Sequence, residues 1–145
     1  MLHQATRAIA DAISRTRYKY DTDEVNDKSF VSLRFRGDNG CQYTIRFISA
    51  DEDNDVSVRV YQLMSLQGDQ RVRILPALNF LNNKYRFVKF VCDKDGDVNV
   101  EYDYPVRSIN PAASAEEMVR RFSNIIDESY PVLMKAIWGG GNGSY

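Results

Sequence analysis

The sequence predicts an α+β fold in which a single five-stranded antiparallel sheet carries helices on one face, in the order αβββαββα. Apolar residues recur at helical spacing in three segments and alternate with polar residues in five others. Each strand pattern is apolar on one side only, so the opposite face of the sheet should be exposed. The 145 residues, 43% of them hydrophobic, are enough for one domain with its own core.

The first helix is predicted over residues 2–16, where one face is apolar and the other is charged. Its apolar positions are Leu2, Ala5, Ile9, Ala12, Ile13 and Thr16. Residues 17–28 are polar and without a period, and we interpret them as an irregular connection.

Three strands are predicted next, each with one apolar and one polar face. Their apolar faces carry Val31, Leu33 and Phe35, then Cys41, Tyr43, Ile45 and Phe47, then Val56, Val58 and Val60. The residues between them should point to the exposed face. The polar loop DEDND, residues 51–55, is expected at the surface.

The faces of the strands decide the turn of the first hairpin. A two-residue Asn39-Gly40 turn would set polar side chains opposite apolar ones. A three-residue loop of Asp38, Asn39 and Gly40 instead pairs Phe35 with Tyr43, and all apolar residues then share one side. Gly40 is therefore predicted to have a positive φ.

The same reasoning applies to the fourth and fifth strands. A loop of Lys94, Asp95 and Gly96 keeps the faces matched, with Gly96 at positive φ. The predicted pairs are Cys92 with Val98, Phe90 with Val100, Val88 with Tyr102, and Lys89 with Glu101 on the outer face.

The second helix lies between these two groups of strands. Pro76 suits its first turn, because the amide hydrogen that proline lacks has no helical partner there. Asn82 or Asn83 is predicted to end the helix in the left-handed conformation. Its apolar stripe comprises Leu75, Leu78, Leu81 and Tyr85.

The third helix is predicted to begin at Ser114, whose hydroxyl can cap it while Glu117 reaches back. Pro131 should end or kink it. Its buried stripe comprises Met118, Phe122, Ile125 and Ile126.

We expect residues 1–138 to form one domain and residues 139–145, GGGNGSY, to form a flexible tail. The sequence contains no signal-like or membrane-spanning stretch, so a cytoplasmic location is expected. The net charge is −1, from 19 basic and 20 acidic side chains. That balance indicates no overall attraction to nucleic acid or to an anionic membrane.

No catalytic, cofactor or metal site is predicted. The single histidine, His3, has no nucleophile or carboxylate near it in the sequence and is expected to be exposed. Cys41 and Cys92 are not a close pair, and they are expected to be buried free thiols.

The segment from Asp93 to Asp97 resembles the start of a calcium-binding loop. Val98 and Tyr104 stand where such a loop needs its glycine and its bidentate carboxylate. The segment is therefore interpreted as a turn.

Two surfaces are candidates for binding a partner. The first is the exposed face of the sheet, which carries Arg34, Arg36, Arg46, Arg59 and Tyr61. This face could be a solvated mixed-charge surface, a protein-binding surface, or a site for nucleic acid or a small anion, since arginine beside an aromatic ring can bind phosphate or stack on a base. Nucleic acid is the least favoured, because the aromatic pair of an RNA-binding sheet is not found.

The second candidate surface is the segment VLMKAIW after Pro131. Its large apolar residues are Leu133, Met134, Ile137 and Trp138. They either fold back onto the core or form an exposed patch for dimerisation or for a client protein.

Three segments, LNFLNNKYRFVKF, DKDGDVNVEYDYP and EEMVRRFSNIIDESYPVL, resemble the bacterial YbjN family of sensory-transduction regulators. The resemblance covers Leu75 to about Ala136 well and the first half of the chain only in the order of its elements. It implies a fold like that of type III secretion chaperones, often dimeric, in proteins that bind other proteins or whose role is unknown. Matching family features are found at Asn79, Asn82, Asp95 and Gly96, which we interpret as structural.

The sequence thus favours a non-enzymatic, chaperone-like or regulatory domain that binds a protein partner and forms a homodimer, without a cofactor. The alternative is a nucleic-acid or small-anion binder that uses the arginines of the exposed face.

Overall fold

The computed structural model describes residues 1–50, 55–105 and 110–139. These residues form four helices and six strands. In chain order the elements are α1 Gln4–Ser14, β1 Asp21–Val25, β2 Lys28–Arg36, β3 Gln42–Ser49, β4 Val56–Ser65, α2 Gln70–Arg73, α3 Leu75–Lys84, β5 Lys89–Cys92, β6 Asp97–Tyr104 and α4 Pro111–Trp138. The α+β class is confirmed, but the sheet has six strands where five were predicted, and the short helix α2 was not predicted.

The strands form one antiparallel sheet in the spatial order β1-β2-β3-β4-β6-β5. The segment from α2 to β5 joins β4 to the edge strand β5, and β6 then returns between them. Helices α1, α3 and α4 cover one face of the sheet and bury its apolar side chains. Residues buried on this side include Ile13 of α1, Leu81 of α3, Phe122 and Ile126 of α4, and Val31, Ile45, Val58 and Val100 of the sheet.

The sixth strand, β1, lies in the stretch that was predicted to be an irregular connection. All five of its residues are exposed, so it has none of the apolar alternation that identifies a strand in a sequence. Its backbone pairs with β2 through the turn at Asn26 and Asp27, where Asn26 has φ 57°. Pairing rather than burial therefore makes this segment a strand.

The predicted registers of the two glycine hairpins are confirmed. Phe35 pairs with Tyr43, and Phe90 pairs with Val100. Gly40 has φ 81° and Gly96 has φ 84°. Strand β5 begins only at Lys89, so the predicted pairing of Val88 with Tyr102 falls before the strand.

Strand β4 contains an irregularity that the sequence did not reveal. Its register with β6 shifts between Val60 and Met64, and Gln62 has φ 54°. The amide of Gln62 donates to the side-chain oxygen of Asn99 at 2.9 Å. The buried Asn99 thereby satisfies the backbone group that the bulge removes from the ladder.

Helix α3 confirms Pro76 in the first turn, but its end differs from the prediction. The helix runs to Lys84 and is followed by Tyr85 in the extended region, so neither Asn82 nor Asn83 takes a left-handed stop. The side chain of Asn82 instead bonds the amide of Phe90 at 2.7 Å and its carbonyl at 2.9 Å. Leu75 was predicted in the apolar stripe and is 52% exposed.

Helix α4 begins three residues before the predicted cap. Asn110 caps it by accepting hydrogen bonds from the amides of Ala112 and Ala113, whereas the Ser114 hydroxyl lies 3.4 Å from the Asn110 carbonyl. The helix continues through Pro131, which was predicted to end or kink it.

The carbonyl of Asp127 explains how α4 accommodates the proline. It lies four residues before Pro131 and lacks the usual helical donor, because proline has no amide hydrogen. The side chain of Asn39, from the loop between β2 and β3, donates to this carbonyl at 3.1 Å. The first hairpin therefore supplies the hydrogen bond that the proline removes.

Two predictions fall largely outside the described residues. The polar loop at 51–55 is described only at Asp55, and the tail at 139–145 only at Gly139. Both stay predictions.

Candidate functional site

The face of the sheet opposite the helices carries the predicted arginines. On β2, Phe30, Ser32 and Arg34 alternate with the buried Val31 and Leu33. Because side chains alternate along a strand, the side chains of these three residues project away from the core. The same alternation brings Arg46 of β3, and Arg59 and Tyr61 of β4, to this face.

A groove of about 670 Å³ crosses this face from β1 to β4. Its floor consists of two small side chains, Ser32 and Thr44, on neighbouring strands. Larger side chains surround the floor, namely Asp21, Asp23 and Val25 from β1, Phe30 and Arg34 from β2, Arg46 from β3 and Tyr61 from β4. We call this feature the open-face groove.

Two neighbouring hollows adjoin the open-face groove. One, of about 350 Å³, shares Phe30 and Tyr61 with it and extends toward Arg59. The other, of about 430 Å³, contains Arg36, which does not line the groove itself. Phe30 and Tyr61 thus contribute to more than one concavity, and Tyr61 is 46% exposed.

The four predicted arginines are not equivalent. Arg59 is engaged by β6, because its guanidinium lies 2.7 Å from a carboxylate oxygen of Asp103 and 3.9 Å from one of Glu101. Burial alone lowers the pKa of Arg59, but the hydrogen bond and the charge of Asp103 outweigh it and raise this pKa above its usual range. Arg59 is therefore a charge already neutralised by the protein.

Arg34 and Arg46 remain as the basic groups of the open-face groove. No carboxylate among the described residues forms an ion pair with either of them. Arg34 is exposed and Arg46 is half-buried. Both can therefore reach a ligand in the groove.

The structure adds five groove residues that the sequence did not suggest, namely Asp21, Thr22, Asp23 and Val25 of β1 and Phe30 of β2. Asp21 and Asp23 were missed because β1 was not recognised as a strand. Phe30 was missed because the predicted strand began at Val31, although its position follows the same alternation as Arg34. The dipeptide Asn26-Asp27 between two short runs was the available turn signal.

The apolar residues near the end of α4 separate into two groups. Leu133 and Ile137 are buried in the core, so they cannot form the exposed patch considered above. Met134 is half-buried and Trp138 is 69% exposed. Trp138 is the large side chain of this segment that a partner could contact.

The reactive residue types outside the groove are engaged elsewhere. His3 is half-buried rather than exposed, and its Nε2 lies 2.6 Å from the carbonyl of Asp27. Burial, helped by the charge of Asp127, raises the pKa of the Cys41 thiol to about 11. Cys92 is half-buried rather than buried as predicted, and partial burial together with Asp93 raises its pKa as well. Both thiols are therefore protonated at neutral pH and are weak nucleophiles.

The Asp93 loop has the internal hydrogen bonds of a turn. One oxygen of Asp93 accepts from the amides of Asp95 and Asp97, and the other accepts from Asn99. In the described part of the chain, no three His, Cys, Asp or Glu side chains are placed to hold a metal ion together. Within the same residues, no helix is both long and apolar enough to cross a membrane.

The chain matches the model of a known protein family. The family model YbjN, described as "Putative bacterial sensory transduction regulator", matches residues 7–134. No curated protein gives a significant match.

Proposed function

Because this chain belongs to the YbjN family, we propose that it is a non-catalytic, chaperone-like regulatory domain that binds a protein partner in the bacterial cytoplasm. The observation that carries the proposal is the open-face groove, which lies on the side of the sheet that the helices leave uncovered. Phe30 and Tyr61 supply aromatic surface there, and Arg34 and Arg46 supply guanidinium groups. These residue types are enriched at protein interfaces.

The charges of the groove favour a protein over a polyanion. Asp21 and Asp23 line the same groove as Arg34 and Arg46. A nucleic acid would bring phosphates against those two carboxylates, and this repulsion opposes the attraction of the arginines. The engagement of Arg59 by Asp103 removes a further cation from the surface.

The proposal is tested by placing a photo-reactive amino acid at Tyr61 and irradiating cells of the native host. We expect discrete adducts of higher mass from position 61. The control is the same substitution at Val72 on α2, which is 70% exposed and lies outside the groove. Absence of adducts, or the same adducts from both positions, would contradict the proposal.

The alternative function, binding of nucleic acid or a small anion, has its own test. Single-stranded DNA at low salt should give no shift in electrophoretic mobility if the groove binds protein. A salt-sensitive shift that disappears in the double variant Arg34→Glu, Arg46→Glu would establish the alternative instead.

We also propose that the protein is a homodimer in which Trp138 contributes to the interface. Trp138 is 69% exposed, and tryptophan is enriched among the residues that dominate the binding energy of protein interfaces. Light scattering after size-exclusion chromatography should give the mass of a dimer. Trp138→Ala should reduce that mass to a monomer, whereas Tyr61→Ala should not. A monomer at high protein concentration would exclude the dimer without affecting the proposed partner binding.

A further inference from the structure

The two small side chains of the open-face groove, Ser32 and Thr44, each lie opposite one of its arginines. Across the β2–β3 ladder, Ser32 faces Arg46 and Arg34 faces Thr44. The two guanidinium groups therefore stand diagonally about the two hydroxyl-bearing residues. A carboxylate lying over this floor could accept hydrogen bonds from both arginines, and charge-assisted bonds of this kind are strong.

The acidic end of the groove is defined by the β1–β2 ladder. Asp21 faces Ser32, and Asp23 faces Phe30. The carboxylates therefore lie at the β1 edge, with the arginines one and two strands further in. Tyr61 closes the opposite end on β4. A ligand that spans the groove meets negative charge first, then positive charge, then an aromatic ring.

The spacing of strands sets the length of such a ligand. Neighbouring strands are about 4.8 Å apart, so β1 and β3 are separated by about 10 Å. An extended polypeptide advances about 3.3 Å per residue, so this distance corresponds to about three residues. The groove volume of about 670 Å³ lies within the range of sites that enclose small ligands and short peptides.

We propose that the open-face groove binds a short extended polypeptide segment in which a lysine or arginine and an aspartate or glutamate stand two or three residues apart. The basic side chain meets Asp21 and Asp23, and the acidic side chain meets Arg34 and Arg46. An apolar side chain beyond the acidic one packs on Tyr61. This inference rests on the proposed function and names the chemistry of its partner.

Charge complementarity is the reason to prefer this occupant. A segment of one sign satisfies one end of the groove and is repelled by the other. A wholly apolar segment would leave both the carboxylates and the guanidinium groups without compensation for their desolvation.

The experiment is a selection of random heptapeptides, displayed on phage, on the purified full-length chain. We expect enriched peptides with a basic and an acidic residue two or three positions apart. A synthetic copy of one selected peptide is then titrated by fluorescence anisotropy. Arg46→Glu should weaken its binding by about tenfold or more, because truncating or reversing one partner of a close charge pair raises the dissociation rate.

The matched control is Arg36→Glu, which reverses a charge on the same strand as Arg34 but outside the groove. It should change the affinity by no more than about twofold, as expected for a charge at the rim of an interface. Replacing the acidic residue of the peptide by lysine should restore binding to the Arg46→Glu protein. Such recovery would not occur if the variant were merely misfolded.

Several results would overturn the inference. Selected peptides of a single charge sign would do so, and so would equal losses for Arg36→Glu and Arg46→Glu. Conversion of a dimer to a monomer by Arg46→Glu would identify the groove as a contact between two copies of the chain. If no peptide is selected while adducts still form at position 61, this inference fails and the proposed function stands. Absence of both peptides and adducts contradicts both.

Discussion

The two glycine hairpins use the same loop but obtain a key carboxylate from different places. In the β5–β6 hairpin, Asp93 directly precedes the loop, and its carboxylate accepts hydrogen bonds from the amides of Asp95 and Asp97. In the β2–β3 hairpin the equivalent position is Gly37, which has no side chain. There the carboxylate of Asp127 on α4 accepts the loop amide of Asp38 at 2.9 Å.

The Asp127 carboxylate lies beside Gly37 but accepts from the first amide of the loop, whereas Asp93 accepts from the amides of Asp95 and Asp97. A Cβ atom built on Gly37 would collide with a carboxylate oxygen of Asp127. The helix carboxylate thus occupies the space that a side chain at position 37 would need. The second hairpin is stabilised mainly by residues near it in the sequence, and the first is stabilised by the helix that covers the sheet.

The largest effect is expected where helix α3 supports the second hairpin. Asn82→Ala removes both hydrogen bonds to Phe90, and it leaves partly buried backbone groups of the edge strand without their partner. We expect a loss of about 2–3 kcal/mol in the free energy of unfolding. Urea denaturation measures it.

The matched control for Asn82 is Asn83→Ala on the same helix. Asn83 is exposed, and among the described residues its side chain donates to the carbonyl of Asn79, one turn earlier in α3. This variant should lose no more than about 0.5 kcal/mol. Equal losses for the two variants would mean that helix propensity, and not support of the β5 edge, determines the effect.

Gly40 and Gly96 have the same left-handed backbone conformation but different surroundings. Replacing each of them by valine tests whether the surroundings affect stability. Gly40→Val should cost about 1–2 kcal/mol, because a side chain at φ 81° is strained while open space surrounds the new Cβ. Gly96→Val should cost about 0.5 kcal/mol more, because the Arg71 guanidinium would have to move away and lose its hydrogen bond to the Asp95 carbonyl. Thermal unfolding gives both values. Equal losses for Gly40→Val and Gly96→Val would show that Arg71 moves away without cost.

The local part of each hairpin could be predicted from sequence, and the tertiary part could not. Matching of apolar faces was sufficient to give the loop length, the register and the sign of φ at Gly40 and Gly96. Nothing in the local sequence indicates that Asp127 reaches Asp38, or that Asn39 bonds the carbonyl exposed by Pro131, since these pairs are about ninety residues apart. For the same reason the prediction that Pro131 interrupts α4 was wrong, since the local sequence does not show the compensating hydrogen bond from Asn39.

The candidate site was predictable to the same extent. Alternation along the strands placed Arg34, Arg46 and Tyr61 on the exposed face. It could not reveal Asp21 and Asp23, because a strand with five exposed residues has no apolar period. It also could not show that Arg59 is neutralised, because the register of β4 with β6 joins strands that are distant in the chain. The sequence therefore showed the basic half of the groove and missed the acidic half.

Moving a carboxylate from α4 into the first hairpin tests whether the helix carboxylate and a local one have the same role. Asp127→Ala removes the acceptor of the Asp38 amide and should cost about 1 kcal/mol. Gly37→Asp alone should also destabilise by about 1 kcal/mol or more, because its side chain collides with Asp127. The double variant should recover most of both losses, because the collision is removed and the new carboxylate can accept hydrogen bonds from the amides of Asn39 and Cys41, as Asp93 does from those of Asp95 and Asp97.

The exchange is read as a double-mutant cycle from urea denaturation. We expect a coupling energy of about 1.5–2 kcal/mol that favours the double variant. Additive losses would show that the carboxylate of Asp127 does not replace a local one, and that the two hairpins are stabilised in unrelated ways.

The smallest effect is a dependence on acid that should distinguish the second hairpin. Hydrogen bonds from the amides of Asp97 and Asp95 and from Asn99 favour the charged form, and they lower the pKa of Asp93 below its usual value of about 3.9. A group whose pKa is lower in the folded state stabilises the fold above the unfolded pKa. This contribution is lost as the pH falls below about 4 toward the folded pKa.

Unfolding by urea between pH 6 and pH 2.5 should therefore show a steeper loss of stability for the wild type than for Asp93→Asn. Asn99→Ala keeps the carboxylate but removes one of its donors, so its acid dependence should lie between the two. If Asp93→Asn retained the full acid dependence, the Asp93 carboxylate would not be the group responsible. The hydrogen bonds of the side chain at position 93 would then stabilise the second hairpin whether or not that side chain is charged.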